Sequence, residues 1–186
     1  MDGNRKQWKR TAALFLGSQC ITLFGSTLVQ MAVVWYVTLA TSSGVWVGAF
    51  SVCSYLPQFL ISFPGGAWAD RYSRKILIAG ADAMTAGVTV LMILAIPYLA
   101  TGTVMLSCLL VMSALRSVGA GIQTPAVNAV IPQIVPKEEL MRYNGMNAAM
   151  QSLVQFAAPA AAGILLSLGS LRDTLLVDII TAEVGI

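Results

Sequence analysis

Six apolar segments constrain most strongly what this chain folds into. They lie at about 12–39, 45–68, 76–98, 103–126, 145–168 and 174–186. Each of the first five holds about 22 residues or more and, as a helix rising about 1.5 Å per residue, crosses roughly 30 Å of hydrocarbon. With 57% hydrophobic and 10% charged residues, the composition is that of an all-α integral membrane protein.

The sixth segment is too short to cross a bilayer. Its roughly 13 residues give about 20 Å of helix, and a helix that ends inside lipid leaves carbonyl groups without partners. We therefore expect the sixth helix to be incomplete, so that the chain is a truncated product or one half of something larger.

The positions of the Lys and Arg side chains predict the orientation. Four of the 11 lie in the tail at 1–11, three in the turn at 71–75 and two in the connection at 136–144. The loops at 40–44 and 99–102 carry none, and Arg172 stands alone on that side. Because cations concentrate on the cytosolic side, we predict a cytosolic basic tail at 1–11 and external loops after the first and third helices.

Several function classes lack the residues that they need. The chain has no His, and Cys20, Cys53 and Cys108 lie apart in apolar runs without metal-binding spacing. Neither a Ser/His/acid set nor a glycine-rich phosphate loop after a strand is present, so we expect no catalysis, metal or cofactor. The formal charge of +3 comes from cations at helix ends and not from a basic patch, which argues against nucleic acid.

Polar side chains inside the apolar segments form stripes on four helices. A polar group in lipid is costly unless it faces protein or water, so a stripe marks either a cavity wall or a helix-packing seam. The glutamines leave both interpretations open. The candidates for cavity lining are Gln19, Gln30, Tyr55, Gln58, Gln123, Gln151 and Gln155.

Two charged residues lie deep in the third and fourth segments. Counted from the external hairpin, Asp82 is about 28 Å deep and Arg116 about 22 Å deep, near enough for the long Arg116 side chain to reach the carboxylate. We predict that Asp82 and Arg116 form an ion pair, with either a structural role or a role in proton coupling or gating. In the sixth segment, Asp178 falls near the external interface and Glu183 close to the midplane.

The most distinctive stretch is the turn from Gly66 to Lys75. It reads G-x-x-x-D-R-x-x-R-K and concentrates Asp70, Arg71, Arg74 and Lys75 between two apolar segments. In isolation such a basic loop can be a topology anchor only, with Asp70 capping the following helix. The pattern resembles the signature loop between helices 2 and 3 of the major facilitator superfamily of transporters.

The resemblance covers nearly the whole chain. The stretch 115–121 looks like the arginine motif of helix 4 in that superfamily, and 123–140 closely resembles the helix 4 to 5 region of its macrolide-efflux and siderophore-exporter branch. Physically, 123–140 predicts a proline-punctuated helix end followed by a capped helix start on the cytosolic side, with 137–139 exposed. The stretches 23–36 and 76–82 also resemble this branch. The implied fold is the N-terminal six-helix half of a major facilitator, at 12–186.

The resemblance implies roles and also shows departures. It implies that Asp70 and Arg71 form a cytosolic gate and that Arg116 serves proton coupling or the geometry of helix 4. Ser73 stands where the family usually has glycine, which is tolerable if the turn needs no positive φ. The antiporter motif of helix 5 survives only as 158–163, with Ala162 in place of a glycine. The second six-helix half, which alternating access requires, is not in this chain.

The leading functional hypothesis is a proton-coupled exporter of amphipathic small molecules such as macrolides, in a bacterial inner membrane. Its expected partners are the substrate, protons, membrane lipid and a C-terminal half. The alternative is a truncated, non-transporting fragment or a half-transporter subunit that needs a partner half. A membrane enzyme is a third class, for which the chain offers no candidate residues.

Overall fold

The computed structural model describes residues 2–99 and 102–185, and the side chains of 7–99 and 102–182. Within these ranges the fold consists of six helices without a strand. They are α1 Asp2–Thr41, α2 Gly44–Arg71, α3 Arg74–Ala95, α4 Thr103–Ile134, α5 Leu140–Leu168 and α6 Leu171–Gly185. Single 3₁₀ turns follow α3 at Ile96–Tyr98 and precede α5 at Lys137–Glu139. Five of the helices, α1 to α5, are long and apolar enough to cross a membrane.

The connections are short, so consecutive helices run antiparallel. The turn between α2 and α3 and the connection between α4 and α5 lie at one end of the bundle, which we call the signature end. The connections after α1, α3 and α5 lie at the opposite end. Gly102 precedes α4 with φ of 111°, a conformation that glycine adopts without steric cost.

Helix α4 is longer than the sequence predicted. The apolar segment was expected to end near 126, yet the helix continues through Pro125 and Pro132 to Ile134. The helix end predicted within 123–140 does lie in that stretch, but at Ile134, two residues before Pro136, and not near Pro125. A proline removes one backbone N–H and frees one carbonyl, which a packed neighbouring helix can accommodate inside a membrane. Here Gly65 of α2 packs against the carbonyl of Gly121, the group that Pro125 leaves free.

The apolar core divides into three clusters around a polar middle. The largest fills the opposite end with side chains from all six helices, among them Leu28, Phe50 and Leu109. Two smaller clusters lie at the signature end. One joins α1, α4 and α5 around Tyr143, and the other joins α2, α3 and α4 around Ala126. Helix α2 packs along α4 and α5 along α1, so a space is left between these two pairs.

Candidate functional site

A cavity of about 420 Å³ occupies the space between the α2–α4 and α1–α5 pairs. Its walls come from α1, α2, α4 and α5, the four helices on which the sequence shows polar stripes. All seven candidates for cavity lining lie on it. They are Gln19, Gln30, Tyr55, Gln58, Gln123, Gln151 and Gln155. Sequence reasoning did not select Asn128 and Asn147, which add two more carboxamides to the wall.

A smaller pocket of about 50 Å³ adjoins the cavity. The two share Ser26, Gln30, Gln58 and Ala120 in their walls. The small pocket reaches Arg116 and Ser117 on α4, so it connects the cavity with the charged interior of the bundle.

Arg116 is the centre of a polar cluster that joins four helices. It forms a two-pronged ion pair with Asp178 of α6, in which Nη2 lies 3.1 Å from Oδ1. Nη1 also donates to the hydroxyl of Thr89 on α3, and Nη2 to that of Ser26 on α1 at 3.1 Å. The side chains of Arg116 and Asp178 are only 8% and 6% exposed. Because both charges are buried and the carboxylate meets the guanidinium through both of its oxygens, neither charge is left without compensation.

The predicted Asp82–Arg116 pair is therefore wrong, and the direction of the side chains explains why. Side chains lean toward the N-terminus of their own helix. Since α3 and α4 run antiparallel, Asp82 leans toward the signature end while Arg116 leans toward the opposite end. Asp178 lies on α6, which runs parallel to α4, and it meets the leaning guanidinium. It is 4% exposed, because it is packed inside the bundle against α3 and α4.

Asp82 forms a second buried polar contact at the cavity wall. It is 2% exposed, and its Oδ1 accepts a hydrogen bond of 2.7 Å from Nε2 of Gln123. Its Oδ2 is buried without a partner among the described residues. Because Gln123 lines the cavity, this amide stands between the cavity and the carboxyl group.

Ser117 links α4 to α2 beside the cavity. Its hydroxyl donates to the carbonyl of Ser54 and accepts a 3.1 Å hydrogen bond from the backbone N–H of Gln58. These two groups are four residues apart, so the hydroxyl bridges the ends of one helical turn of α2, next to Pro57. Such an insertion is a known cause of local helix distortion, and it ties the cavity residue Gln58 to α4.

The signature loop is held by the side chain of Arg74 rather than by the predicted cap. Asp70 lies in the last turn of α2 and is exposed. The residue at the N-cap of α3 is Ser73, without a side-chain cap hydrogen bond, so the predicted capping by Asp70 is wrong. Instead Arg74 Nε donates to the carbonyl of Ala69 at 3.1 Å, satisfying a free carbonyl at the end of α2.

The remaining loop candidates are on the surface. Arg71 and Lys75 are exposed, and Gly66 has no neighbour that a β-carbon would meet within 4 Å. Ser73 has φ of −61°, so replacing the family's glycine causes no strain at this position. The side chain of Glu183 lies outside the described residues. No group of residues that could hold a metal occurs among those that the structure describes.

These features define a multi-pass helical membrane protein with a polar cavity between its helices. The sequence profile of the Major Facilitator Superfamily matches residues 15–185. The chain belongs to this superfamily, and the prediction of an all-helical membrane fold of this family is confirmed.

The individual relatives that match the chain share less than 30% sequence identity with it. Macrolide efflux protein A of Streptococcus pyogenes is 29% identical over 178 residues, covering 96% of this chain and 43% of the relative. The protein of that name from Enterococcus faecalis is 29% identical over 137 residues, which cover 74% of this chain and 42% of the relative. The Staphyloferrin A transporter of Staphylococcus aureus is 24% identical over 170 residues, covering 89% and 41%. No solved structure gives a significant match. The chain spans a little over two fifths of the length of these relatives.

Proposed function

We propose that this chain forms the N-terminal half of a proton-coupled exporter of amphipathic small molecules of the macrolide kind. The observation that carries the proposal is the polar cavity in a Major Facilitator bundle, with relatives named for macrolide efflux. Transporters of this type bind substrate near the midplane between two halves. This half would supply the wall formed by α1, α2, α4 and α5.

Proton coupling is assigned to the buried charges next to that wall. Asp82 has one oxygen without a partner and touches the cavity only through Gln123. Arg116 of the Arg116–Asp178 pair lines the small pocket itself, beside Ser26. Ionisable groups buried inside membrane helices commonly belong to proton or ion pathways. Asp82 is the proposed proton carrier, and Arg116 the group that holds the helix arrangement around it.

Gating is assigned to the signature loop on the cytosolic side. Asp70 and Arg71 are exposed, and neither forms a salt bridge or a side-chain hydrogen bond within the described residues, so both are available to a second half. The orientation with a cytosolic N-terminus is supported by the nine cations at the signature end.

Drug accumulation in pump-deficient bacteria tests this function. Cells that express the complete reading frame should retain less macrolide than cells with an empty vector, and a protonophore should abolish the difference. An Asp82→Asn variant that is inserted normally should behave like the empty vector. If efflux persists in the presence of the protonophore, proton coupling is wrong.

The alternative is a half-transporter subunit or a non-transporting fragment; the chain spans 43% of the length of the first relative. Sequencing the transcript beyond the codon for Ile186 separates the cases. A frame that continues for about 200 residues with six further apolar segments supports the conventional exporter. A stop codon there supports the alternative, and residues 1–186 alone should then produce no efflux.

A further inference from the structure

The glutamines are distributed unevenly along the chain. Of its eight, the six that lie within the membrane-crossing parts of the helices all face the cavity of about 420 Å³. The other two, Gln7 and Gln133, are exposed near the signature end. Packing seams alone would scatter glutamines over several helix interfaces, whereas here they converge on one space.

The charged groups of the bundle are kept out of this space. With Asn128 and Asn147, the described wall has eight carboxamides and no Asp, Glu, Lys or Arg. Arg116 donates hydrogen bonds to Asp178, Thr89 and Ser26. Asp82 accepts a hydrogen bond from Gln123, which lies between it and the cavity. Asp82 is thus separated from the large cavity by Gln123. Arg116 lines only the adjoining small pocket, where the carboxylate of Asp178 compensates its charge.

The chemistry of the wall restricts its ligand. A carboxamide offers two N–H donors and one carbonyl acceptor without net charge. Hydroxyl, ester and glycosidic oxygens can be matched by such groups, and Leu23, Met31 and Val127 add apolar surface. An ionised group would lose its hydration without meeting a counter-charge, which is strongly unfavourable in a low-dielectric site.

We infer that this cavity selects the neutral, oxygen-rich part of an amphiphile, and that any ionised group of the substrate binds outside this half's wall. The inference rests on the proposed function for its biological meaning, because it assigns the substrate class of the same cavity. It depends for its evidence only on the composition of the wall.

Three probes that differ only at one sugar carbon test the inference. Hexyl glucoside carries a neutral hydroxymethyl group at C6, hexyl glucuronide a carboxylate, and hexyl 6-amino-6-deoxyglucoside an ammonium group. Binding of each to the chain in nanodiscs is measured by calorimetry at pH 7, with empty nanodiscs correcting for partition into lipid. We expect the neutral probe to bind about tenfold more tightly or better than either ionised probe, since both would be desolvated without a partner.

A matched pair of variants locates the selection. Gln151→Glu places a carboxylate on the wall and should increase binding of the ammonium probe relative to the neutral one. Gln133→Glu adds the same charge at an exposed site outside the cavity and should leave the order of the three probes unchanged.

Equal binding of all three probes, tighter binding of an ionised one, or no binding of any probe would overturn the inference. The efflux experiment tests the proposed function independently of this binding experiment. Neutral selectivity without efflux would refute the proposed function and leave the substrate class standing. Efflux together with a preference for an ionised probe would support the proposed function and refute the substrate class.

Discussion

Arg116 links α4 to three other helices through hydrogen bonds. Removing its charge or that of its partner should therefore lower the free energy of unfolding. Arg116→Gln or Asp178→Asn leaves one buried charge without compensation, which destabilises proteins by about 3–5 kcal/mol. The double variant should recover most of this loss. Thermal unfolding in detergent gives the coupling energy of the cycle. The control is the cycle of Arg116→Gln with Asp82→Asn, which should be nearly additive. Coupling with Asp82 instead of Asp178 would contradict the observed pairing.

Asp82 differs from Arg116 because its role is proposed to be in transport rather than in folding. Asp82→Asn keeps an oxygen that can accept the hydrogen bond from Gln123 and removes the group that can carry a proton. In the complete transporter, reconstituted in liposomes, we expect substrate binding to persist while substrate-driven proton movement, followed with a pH-sensitive dye, disappears. Glu138→Gln, an exposed site outside the cavity, is the control. Normal proton movement in Asp82→Asn would exclude Asp82 as the carrier.

Helices α2 and α4 approach each other through Gly65 and Gly121. A β-carbon on Gly65 would lie 2.8 Å from the carbonyl of Gly121, and one on Gly121 would lie 2.9 Å from that of Gln58. Both neighbours are backbone atoms that cannot rotate away, so Gly65→Ala should cost about 1–3 kcal/mol through overpacking. Gly66→Ala is the matched control, because nothing lies within 4 Å there. Equal melting temperatures for the two variants would contradict the close approach.

Helix α6 begins with a reciprocal cap between Ser170 and Asp173. The Ser170 hydroxyl and backbone N–H both donate to Asp173 Oδ2, at 2.7 and 2.8 Å, and these bonds hold the pKa of Asp173 below its ordinary value. Because the folded form favours ionised Asp173, the stabilisation is present above the unfolded pKa and is lost as pH falls through the folded one.

Hydrogen exchange in the first turn of α6 reports on this cap. Asp173→Asn should accelerate exchange at 174–176 near neutral pH, after correction for intrinsic rates, and the difference from the wild type should vanish in strong acid. Arg172→Gln, which leaves the cap intact, is the control. A difference that persists unchanged in acid would show that ionisation of Asp173 does not support the helix.

The membrane helices could be predicted from the sequence because hydropathy and length act locally, independently of how the helices pack. The polar stripes likewise indicated the four helices around the cavity, since spacing alone places Gln151 and Gln155 on one face. The partner of Arg116 could not be predicted from depth along the helix axis alone. Depth along a helix axis brought Asp82 within reach, but the antiparallel lean of α3 and α4 separates the two residues. Pro125 inside α4 packs beside Gly65 of a distant segment, a contact that local sequence does not reveal.

At the scale of the whole bundle, some helices are surrounded by other helices and others expose one apolar side. Helices α1 and α4 are packed on several sides, whereas α2 and α5 expose large apolar side chains such as Phe59, Phe63 and Phe156. In a membrane this apolar surface is compatible with lipid and with a second half. The cavity lies between the pairs that contain these two helices, which is the position where a second half would complete the proposed binding site.

The proposed orientation of the bundle is testable through the two ends of α3. On a background in which Cys20, Cys53 and Cys108 are replaced by alanine, Ser73→Cys marks the signature end and Tyr98→Cys the opposite end. Both sites are exposed, Tyr98 at 90%, and cations favour the cytosolic side. A membrane-impermeant maleimide should label Tyr98→Cys in intact cells and Ser73→Cys only after the membrane is permeabilised. The reverse pattern would place the signature loop outside, where Asp70 and Arg71 could not form a cytosolic gate.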